Sequence, residues 1–257
     1  MKSVTVTEIM DWRTCRLKWH YRHQLELEPN QRPPLMASGS ALHAAVASKI
    51  LGIPLDIEDF LMQQFGDEEN KEELVQKYAP GVHRALGRVP AWVWEEQNWH
   101  SEELVSGIYD NGELEIRGRP YLWRLRDGVL EVVEVMTTDA SALDYLLWVP
   151  QARWYAALLD DQHFPDAHLI KFLYLCVGTG TKDALRVQPW VLTQPALEKA
   201  REQMVGWAKE VGILPILPNN DRHCAWCEFA PLARVRGGLT MGDEGYIMKQ
   251  WFQSRRR

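Results

Sequence analysis

The chain has 257 residues, of which 46% are hydrophobic and 25% charged, and a formal net charge of −6. These values are typical of a globular protein and exclude a disordered or fibrous chain. No apolar run approaches the ~20 residues that a membrane-spanning helix requires. The N-terminal stretch MKSVTVTEIMDW has no apolar signal core, so we expect a cytoplasmic protein without membrane contact.

The negative charge is concentrated in one stretch, residues 51–110, which we call the acidic segment. It contains 13 acidic and 4 basic residues, whereas the other 197 residues contain 22 acidic and 25 basic residues. The balance is therefore −9 inside the segment and +3 outside it. This distribution predicts a solvated, acidic helical insertion in a mildly basic domain, and it removes the net charge as an argument against nucleic-acid binding.

Hydrophobic periodicity predicts helices in the first part of the chain and strands after it. Thr7 is the expected N-cap of a helix that runs to about His23, and a second helix follows Gly39. The stretch 56–80 is also typical of helix. LEIRGRPYLWRL and VLEVVEVM then predict two strands of a hairpin joined by the turn Asp127-Gly128.

The second half of the chain alternates helices and strands. A helix is expected from about Pro150, a strand at HLIKFLYLCVG, an edge strand at RVQPWVL with Pro189, and a helix from Pro195. A cysteine-containing segment follows over about 218–257. The pattern predicts one α/β domain over 1–257 in which helices flank a mixed central β-sheet.

Six motifs occur in order over residues 7–233: TEIMDWRTCRLKWHYRH, GSALH, IRGRPYLWRL, VVEVMTT, QARWY and CAWCEFAPLA. Together they resemble the RecB-like branch of the PD-(D/E)XK nuclease superfamily, which includes CRISPR-associated and AddB-type exonucleases. GSALH is similar to the family's Gly-x-x-x-His helix, and QARWY to its Gln-x-x-x-Tyr helix. The resemblance implies a restriction-endonuclease-like core that acts on DNA.

The resemblance assigns six residues to a remnant nuclease site: His43, Tyr121, Glu134, Met136, Gln151 and Tyr155. In the family, two carboxylates, a His and a backbone carbonyl hold a divalent metal ion, and a Lys positions the attacking water. Here Tyr121 stands at the first carboxylate position and Met136 at the Lys position, while Glu134 retains the second acid. The departure implies an inactive site that holds Mg²⁺ or Mn²⁺ poorly. Apart from the resemblance, His43 would be interpreted as a core histidine and Glu134 as an ion-pair partner.

Strand periodicity refines this expectation. Tyr121 and Trp123 should share one face of their strand, and Glu134 and Met136 one face of theirs. If the two strands pair as in the family, Tyr121 and Met136 face the same cleft. The hypothesis is that a thioether–aromatic contact between them fills the former metal site. Arg153 should point away from the Gln-x-x-x-Tyr face, which makes it a poor substitute for the missing Lys.

Three cysteines fall on cluster positions of the iron–sulfur relatives: Cys15, Cys224 and Cys227. The fourth position is Ala233, and Cys176 lies in an apolar strand as a small hydrophobic residue. The three cysteines are interpreted as an iron–sulfur cluster site, as a zinc site completed by His223 or His20, or as a vestigial site without metal. The vestigial site is preferred, so no cofactor is expected, and Mg²⁺ or Mn²⁺ would be needed only by an active nuclease.

Five basic residues are the candidate contacts to nucleic-acid phosphates: Arg13, Arg16, Lys18, Arg119 and Arg124. Three further basic residues lie in the same helix and strands: Arg22, Arg117 and Arg126. Trp123 or Trp154 would be the platforms on which bases of a single strand stack.

Three functions remain open at the level of sequence. The first is a catalytically inactive RecB-like domain that binds DNA, single-stranded or at duplex ends, or assembles a complex with a protein partner in DNA processing or defence. The second is an active metal-dependent DNA exonuclease with rearranged ligands. The third is a purely protein-interacting subunit or inhibitor of a phage or mobile-element complex, in which the acidic segment is the contact surface.

Overall fold

The computed structural model describes residues 1–29, 33–66, 68–95, 98–138, 150–163, 167–176, 186–215, 227, 229 and 252–254. The described strands are β1 Lys2–Thr5, β2 Leu27–Pro29, β3 His100–Ser101, β4 Val105–Tyr109, β5 Leu114–Gly118, β6 Leu122–Arg126, β7 Val129–Thr138, β8 Ala167–Cys176, β9 Arg186–Leu192 and β10 Phe252–Ser254. The described helices are α1 Val6–Thr14, α2 Arg16–Trp19, α3 Pro34–Leu51, α4 Ile57–Phe65, α5 Lys71–Arg88, α6 Ala91–Glu95, α7 Gln151–His163 and α8 Gln194–Glu210. None of these helices is both long and apolar enough to cross a membrane.

Two mixed sheets and one small ribbon make up the β-structure of the described residues. The larger sheet has the order β3-β6-β7-β8-β9, in which only β7 and β8 pair in parallel. The smaller sheet has the order β1-β5-β4, with β1 parallel to β5. β10 pairs antiparallel with β2, so part of the C-terminal segment lies beside the N-terminal region. The mixed α/β fold expected from the sequence is confirmed, with two mixed sheets where one was predicted.

The larger sheet carries a hydrophobic core on each face. The first core joins Trp123, Leu130 and Val132 of this sheet to the smaller sheet and to α1, α7 and α8. The second core joins Leu122 and Val133 to α3, α4, α5 and α6. Because neighbouring strand residues alternate between the two cores, residues 122–124 of β6 and 132–135 of β7 are buried on both faces of the sheet.

The N-terminal helix begins two residues earlier than predicted. Thr5, rather than Thr7, is the N-cap: its hydroxyl accepts from the Glu8 amide at 3.1 Å, and the Glu8 carboxylate accepts from the Thr5 amide at 2.7 Å. This reciprocal capping box satisfies two backbone donors that the helix leaves open. The helix is also interrupted at Cys15, whose φ of −162° is extended, and it continues as α2 and a π-helical turn, His20–Gln24.

Other boundaries differ in the same modest way. α3 begins at Pro34, before the predicted start at Gly39, because a proline in the first turn needs no backbone partner. α7 begins at Gln151, directly after Pro150, as predicted. The turn between β6 and β7 is confirmed: Asp127 and Gly128 both have positive φ, 49° and 75°, as a two-residue hairpin turn requires.

One predicted strand is in fact two strands in different sheets. The stretch 114–126 breaks after Gly118, so β5 belongs to the smaller sheet and β6 to the larger one. The break changes the orientation of the residues at the bend. Tyr121 lies in the second core and Trp123 in the first, so the two do not share a face as predicted.

The acidic segment is helical only in its first part. α4, α5 and α6 cover the second core, with buried side chains such as Leu61, Phe65 and Val82 facing the larger sheet. From His100 the chain instead forms β3 and β4, an edge strand of each sheet. The acidic side chains Glu72 and Glu73 lie in the first turn of α5, where a negative charge is favourable, and the segment is thus a helical cover with a solvated outer surface.

Candidate functional site

Tyr121 and His43 are in direct contact at the centre of the remnant site. Their ring centroids are 4.6 Å apart and the rings meet edge-on, and the Tyr121 hydroxyl donates to the backbone carbonyl of His43 at 2.9 Å. Tyr121 is only 4% exposed. Burial and the charges of Glu102 and Glu134 raise the pKa of Tyr121 well above its usual value, so the phenol stays neutral. An uncharged, hydrogen-bonded phenol offers a divalent cation little.

The imidazole of His43 is held by the backbone of β7. It hydrogen-bonds the carbonyl of Val135, the residue after Glu134. Burial lowers the pKa of His43 to about 4, against the opposing effect of that hydrogen bond, so the ring is neutral at physiological pH. The family resemblance implies an imidazole and a backbone carbonyl as ligands of the metal ion. Here the His43 imidazole and the Val135 carbonyl are hydrogen-bonded to each other.

Glu134 is a buried acid with a second carboxylate near it. It is 8% exposed, and within the described residues its Oε2 atom has no hydrogen-bond partner. Burial, and secondarily the charge of Glu102, raise its pKa from 4.5 to about 8. Glu134 is therefore mostly protonated at neutral pH, whereas a carboxylate that ligates a metal ion must be ionised.

Glu102 was not identified from the sequence. It follows β3, and its amide donates to the Tyr121 carbonyl at 3.1 Å, which continues the pairing of Ser101 with Leu122. Cross-strand pairing therefore sets Glu102 opposite the position at which the family carries its first carboxylate. No sequence signal marks this pairing, because β3 is a two-residue strand inside the acidic segment.

Gln151 and Tyr155 lie one turn apart on α7 and interact as their spacing predicts. The Gln151 amide donates to the Tyr155 hydroxyl at 3.0 Å, and the Arg119 backbone amide also donates to that hydroxyl. Burial and the charge of Glu134 raise the pKa of Tyr155 above its usual value. Tyr155 thus fixes α7 against the bend after β5, and it faces Glu134 as a neutral group.

Both motif glycines permit close approaches at this site. A Cβ on Gly39 would lie 2.6 Å from Thr137 Oγ1, which lets α3 cross β7 closely. A Cβ on Gly118 would lie 2.6 Å from Tyr155 Cε1 and 3.2 Å from Val6 Cγ2. The glycines of GSALH and IRGRP therefore have a packing role that is independent of catalysis.

Gly118→Ala is expected to destabilise the protein by roughly 1–3 kcal/mol, because the new methyl group overpacks a closed core. The measurement is the free energy of unfolding in urea. Gly206→Ala is the matched control: nothing lies within 4 Å of a Cβ at this helical position. That control should stabilise the protein by roughly 0.5–1 kcal/mol. Equal effects of the two substitutions would contradict the close contact between Gly118 and Tyr155.

The residues of the remnant site do not fit a divalent metal ion. Among the described residues, no three His, Cys, Asp or Glu side chains are grouped closely enough to hold one. Tyr121 is a neutral phenol, His43 hydrogen-bonds the Val135 carbonyl, and burial raises the pKa of Glu134 to about 8. The side chain of Met136 lies outside the described residues, so its predicted contact with Tyr121 stays a prediction. The described partner of Tyr121 is His43.

The sequence matches the PD-(D/E)XK nuclease superfamily over residues 3–232. The chain belongs to this superfamily. A solved structure from Eubacterium rectale, of a protein named "Putative exonuclease", has 10% identity and a TM-score of 0.51, with 86% of each chain covered. The solved structure of SSO0001 has 13% identity and a TM-score of 0.44, with coverage of 89% of this chain and 84% of the other. No curated protein matches the chain.

Within this PD-(D/E)XK domain, three of the basic residues predicted to contact nucleic acid already interact with other groups of the protein. Arg124 is 3% exposed, is paired with Glu131 and lies over the Trp99 ring at 4.1 Å, so its charge is already compensated inside the protein. Lys18 is bound to Asp11 at 2.8 Å. Arg16 donates to the Pro215 carbonyl at 3.3 Å.

Two of the five basic residues are exposed at the surface. Arg119 is exposed, and its guanidinium donates to the Glu102 carbonyl at 2.9 Å. Arg13 is exposed near the end of α1. The expected stacking platforms are not available, because Trp123 and Trp154 are 5% and 1% exposed and belong to the first core.

Two cysteines of the predicted cluster lie around one small hydrophobic group. Cys15 and Cys227 are both partly buried and pack against the cluster of Leu17, Tyr21, Leu27 and Phe229. The N-terminal helices and part of the C-terminal segment therefore meet at this hydrophobic group. Cys224 and His223 lie outside the described residues, so whether the set binds iron–sulfur, zinc or nothing stays a prediction.

Proposed function

We propose that this protein is a cytoplasmic, catalytically inactive member of the RecB-like branch of its superfamily, which serves as a DNA-binding or complex-assembly subunit in DNA processing or defence. The observation that carries the proposal is the contact between Tyr121 and His43. The resemblance assigns position 121 to an anionic ligand, and Tyr121 instead uses its ring and hydroxyl in the contact with His43, which supports the proposal. The expected partners are single-stranded DNA, duplex ends and a protein of the same complex.

Salt dependence separates DNA binding from a purely protein-interacting role. Phosphate contacts release counterions, so the affinity for DNA falls linearly with salt on logarithmic scales. We expect gel-shift or anisotropy measurements on single-stranded and duplex DNA to give such a slope. Absence of DNA binding at low salt would leave the protein-interaction role, in which the acidic segment provides the surface.

A metal-dependent exonuclease with rearranged ligands is the second candidate, and Glu102 is the observation that favours it. Its carboxylate is near enough to Glu134 to raise the pKa of that residue. A divalent cation would compete with the proton that Glu134 otherwise carries. This candidate predicts degradation of linear or single-stranded DNA in Mg²⁺ or Mn²⁺ that is lost in Glu102→Gln and in Glu134→Ala. The inactive assignment predicts no degradation by any of the three proteins at high concentration.

A further inference from the structure

Arg13 lies on α1 and Arg153 on α7, and these two helices pack together in the first core. Burial, and secondarily the positive charge of Arg13, lower the pKa of Arg153. In the part of the chain that the structure describes, neither guanidinium has a carboxylate partner. Two neighbouring cations without a counterion repel each other, and an anion bound between them would relieve that repulsion.

Trp190 holds one of these arginines in place. The Arg153 Cζ atom lies 5.3 Å from the centroid of the Trp190 ring, which is within the range of a cation–π contact. The Nε atom of Arg153 is buried and, within the described residues, has no hydrogen-bond partner. This contact positions the guanidinium, and its terminal N–H groups are of the type that binds an oxyanion.

The aromatic ring is also accessible from solvent. Trp190 is 37% exposed on β9, the edge strand of the larger sheet, and its neighbour Val191 is 67% exposed. An exposed indole beside two arginines combines the two elements of single-strand recognition: cationic groups for the backbone and a face on which any base can stack.

We propose that Arg13, Arg153 and Trp190 form a binding site for single-stranded nucleic acid, in which the two guanidinium groups hold a phosphodiester and Trp190 stacks on an adjacent base. The inference rests on the DNA-binding part of the proposed function and gives it a location. Arg153 is two residues from Gln151 and so lies on another face of α7 than the remnant site.

An acidic peptide fits these observations less well. A peptide would gain most by adding a strand to the exposed edge of β9, but Pro189 has no amide hydrogen to donate there. A peptide carboxylate would satisfy the arginines without using the exposed indole. A nucleotide uses both.

The test is fluorescence anisotropy with labelled oligothymidylate over a range of salt. Arg13→Ala and Arg153→Ala should each weaken binding about tenfold, and the double variant, which loses one phosphate contact, should lower the salt slope by about 0.7. Trp190→Ala should weaken binding roughly tenfold and Trp190→Phe should restore most of it. Lys209→Ala is the charge-matched control, because Lys209 is exposed and already bound to Asp110 at 2.6 Å. Thermal unfolding of each variant checks that the fold is intact.

The possible results separate the inference from the function on which it rests. Wild-type binding that the arginine and tryptophan variants reduce no more than Lys209→Ala would overturn this site and leave DNA binding elsewhere on the protein. No wild-type binding to oligothymidylate or duplex DNA would overturn both. Displacement of the oligonucleotide by polyglutamate, together with an unchanged affinity of Trp190→Ala, would assign the arginines to an acidic peptide and contradict the inference.

Discussion

Glu134→Gln is expected to raise the free energy of unfolding at pH 7 by on the order of 3 kcal/mol. The wild-type acid has a pKa of about 8 in the folded protein, against 4.5 for an ordinary glutamic acid. Unfolding lets the side chain ionise at neutral pH, and this favours the unfolded state. Glutamine has the same shape and no charge to release, so the substitution removes that bias.

The pH dependence gives this prediction its sign. Because the folded pKa is raised, the contribution of Glu134 to stability is complete below about pH 4.5 and is lost as the pH rises toward 8. Urea unfolding at several pH values should show wild type losing stability over this range and Glu134→Gln losing much less. Glu102→Gln is the companion variant, since it removes the nearby charge that helps to raise the pKa. If the free energy of unfolding of Glu134→Gln at pH 8 does not exceed that of wild type, Glu134 is ionised in the folded protein and the prediction is contradicted.

Asp11→Ala is expected to destabilise the protein by roughly 3–5 kcal/mol, because it removes the buried anion that the partly buried Lys18 and Arg22 pair with. Asp11 is 5% exposed and binds Lys18 at 2.8 Å, Arg22 at 2.8 Å and His23 at 2.9 Å. The network joins α1 to α2 and the π-helical turn across the interruption at Cys15. Burial opposes ionisation, but the hydrogen bond from His23 and the charges of Lys18 and Arg22 hold the pKa of Asp11 well below its usual value.

The pH dependence of Asp11 has the opposite sign to that of Glu134. Its folded pKa is depressed, so its contribution is present above about pH 4 and is lost as the pH falls through the folded value. Urea unfolding at neutral and acid pH measures both effects. Glu58→Ala is the control, because Glu58 forms an exposed pair with His83 at 3.0 Å and its loss should cost at most about 1 kcal/mol. Equal losses in the two variants would contradict the role of the buried network.

The sequence is informative where local rules determine structure. The hairpin turn at Asp127-Gly128, the proline that precedes α7 and the pairing of Gln151 with Tyr155 all follow from residue type and spacing within a few positions. The motif residues also identify the superfamily. These features depend on contacts between residues that are near in sequence.

The features that the sequence does not reveal depend on distant pairing. The break after Gly118 arises because β5 pairs with β1, more than a hundred residues earlier, whereas β6 pairs with β7. The bend between them turns Tyr121 toward His43 rather than to the face of Trp123. Glu102 reaches the site through the short pairing of β3 with β6. This contact cannot be read from periodicity.

The central proposal is that Tyr121, His43 and Glu134 form a buried, uncharged remnant that does not bind catalytic metal. Calorimetric titration of wild type and Glu134→Ala with Mn²⁺ at neutral pH, with DNA cleavage followed in the same samples, tests it most directly. We expect no saturable binding that depends on Glu134 and no cleavage of linear or single-stranded DNA. Tight Mn²⁺ binding that releases a proton and disappears in Glu134→Ala, accompanied by Mn²⁺-dependent cleavage, would contradict the claim.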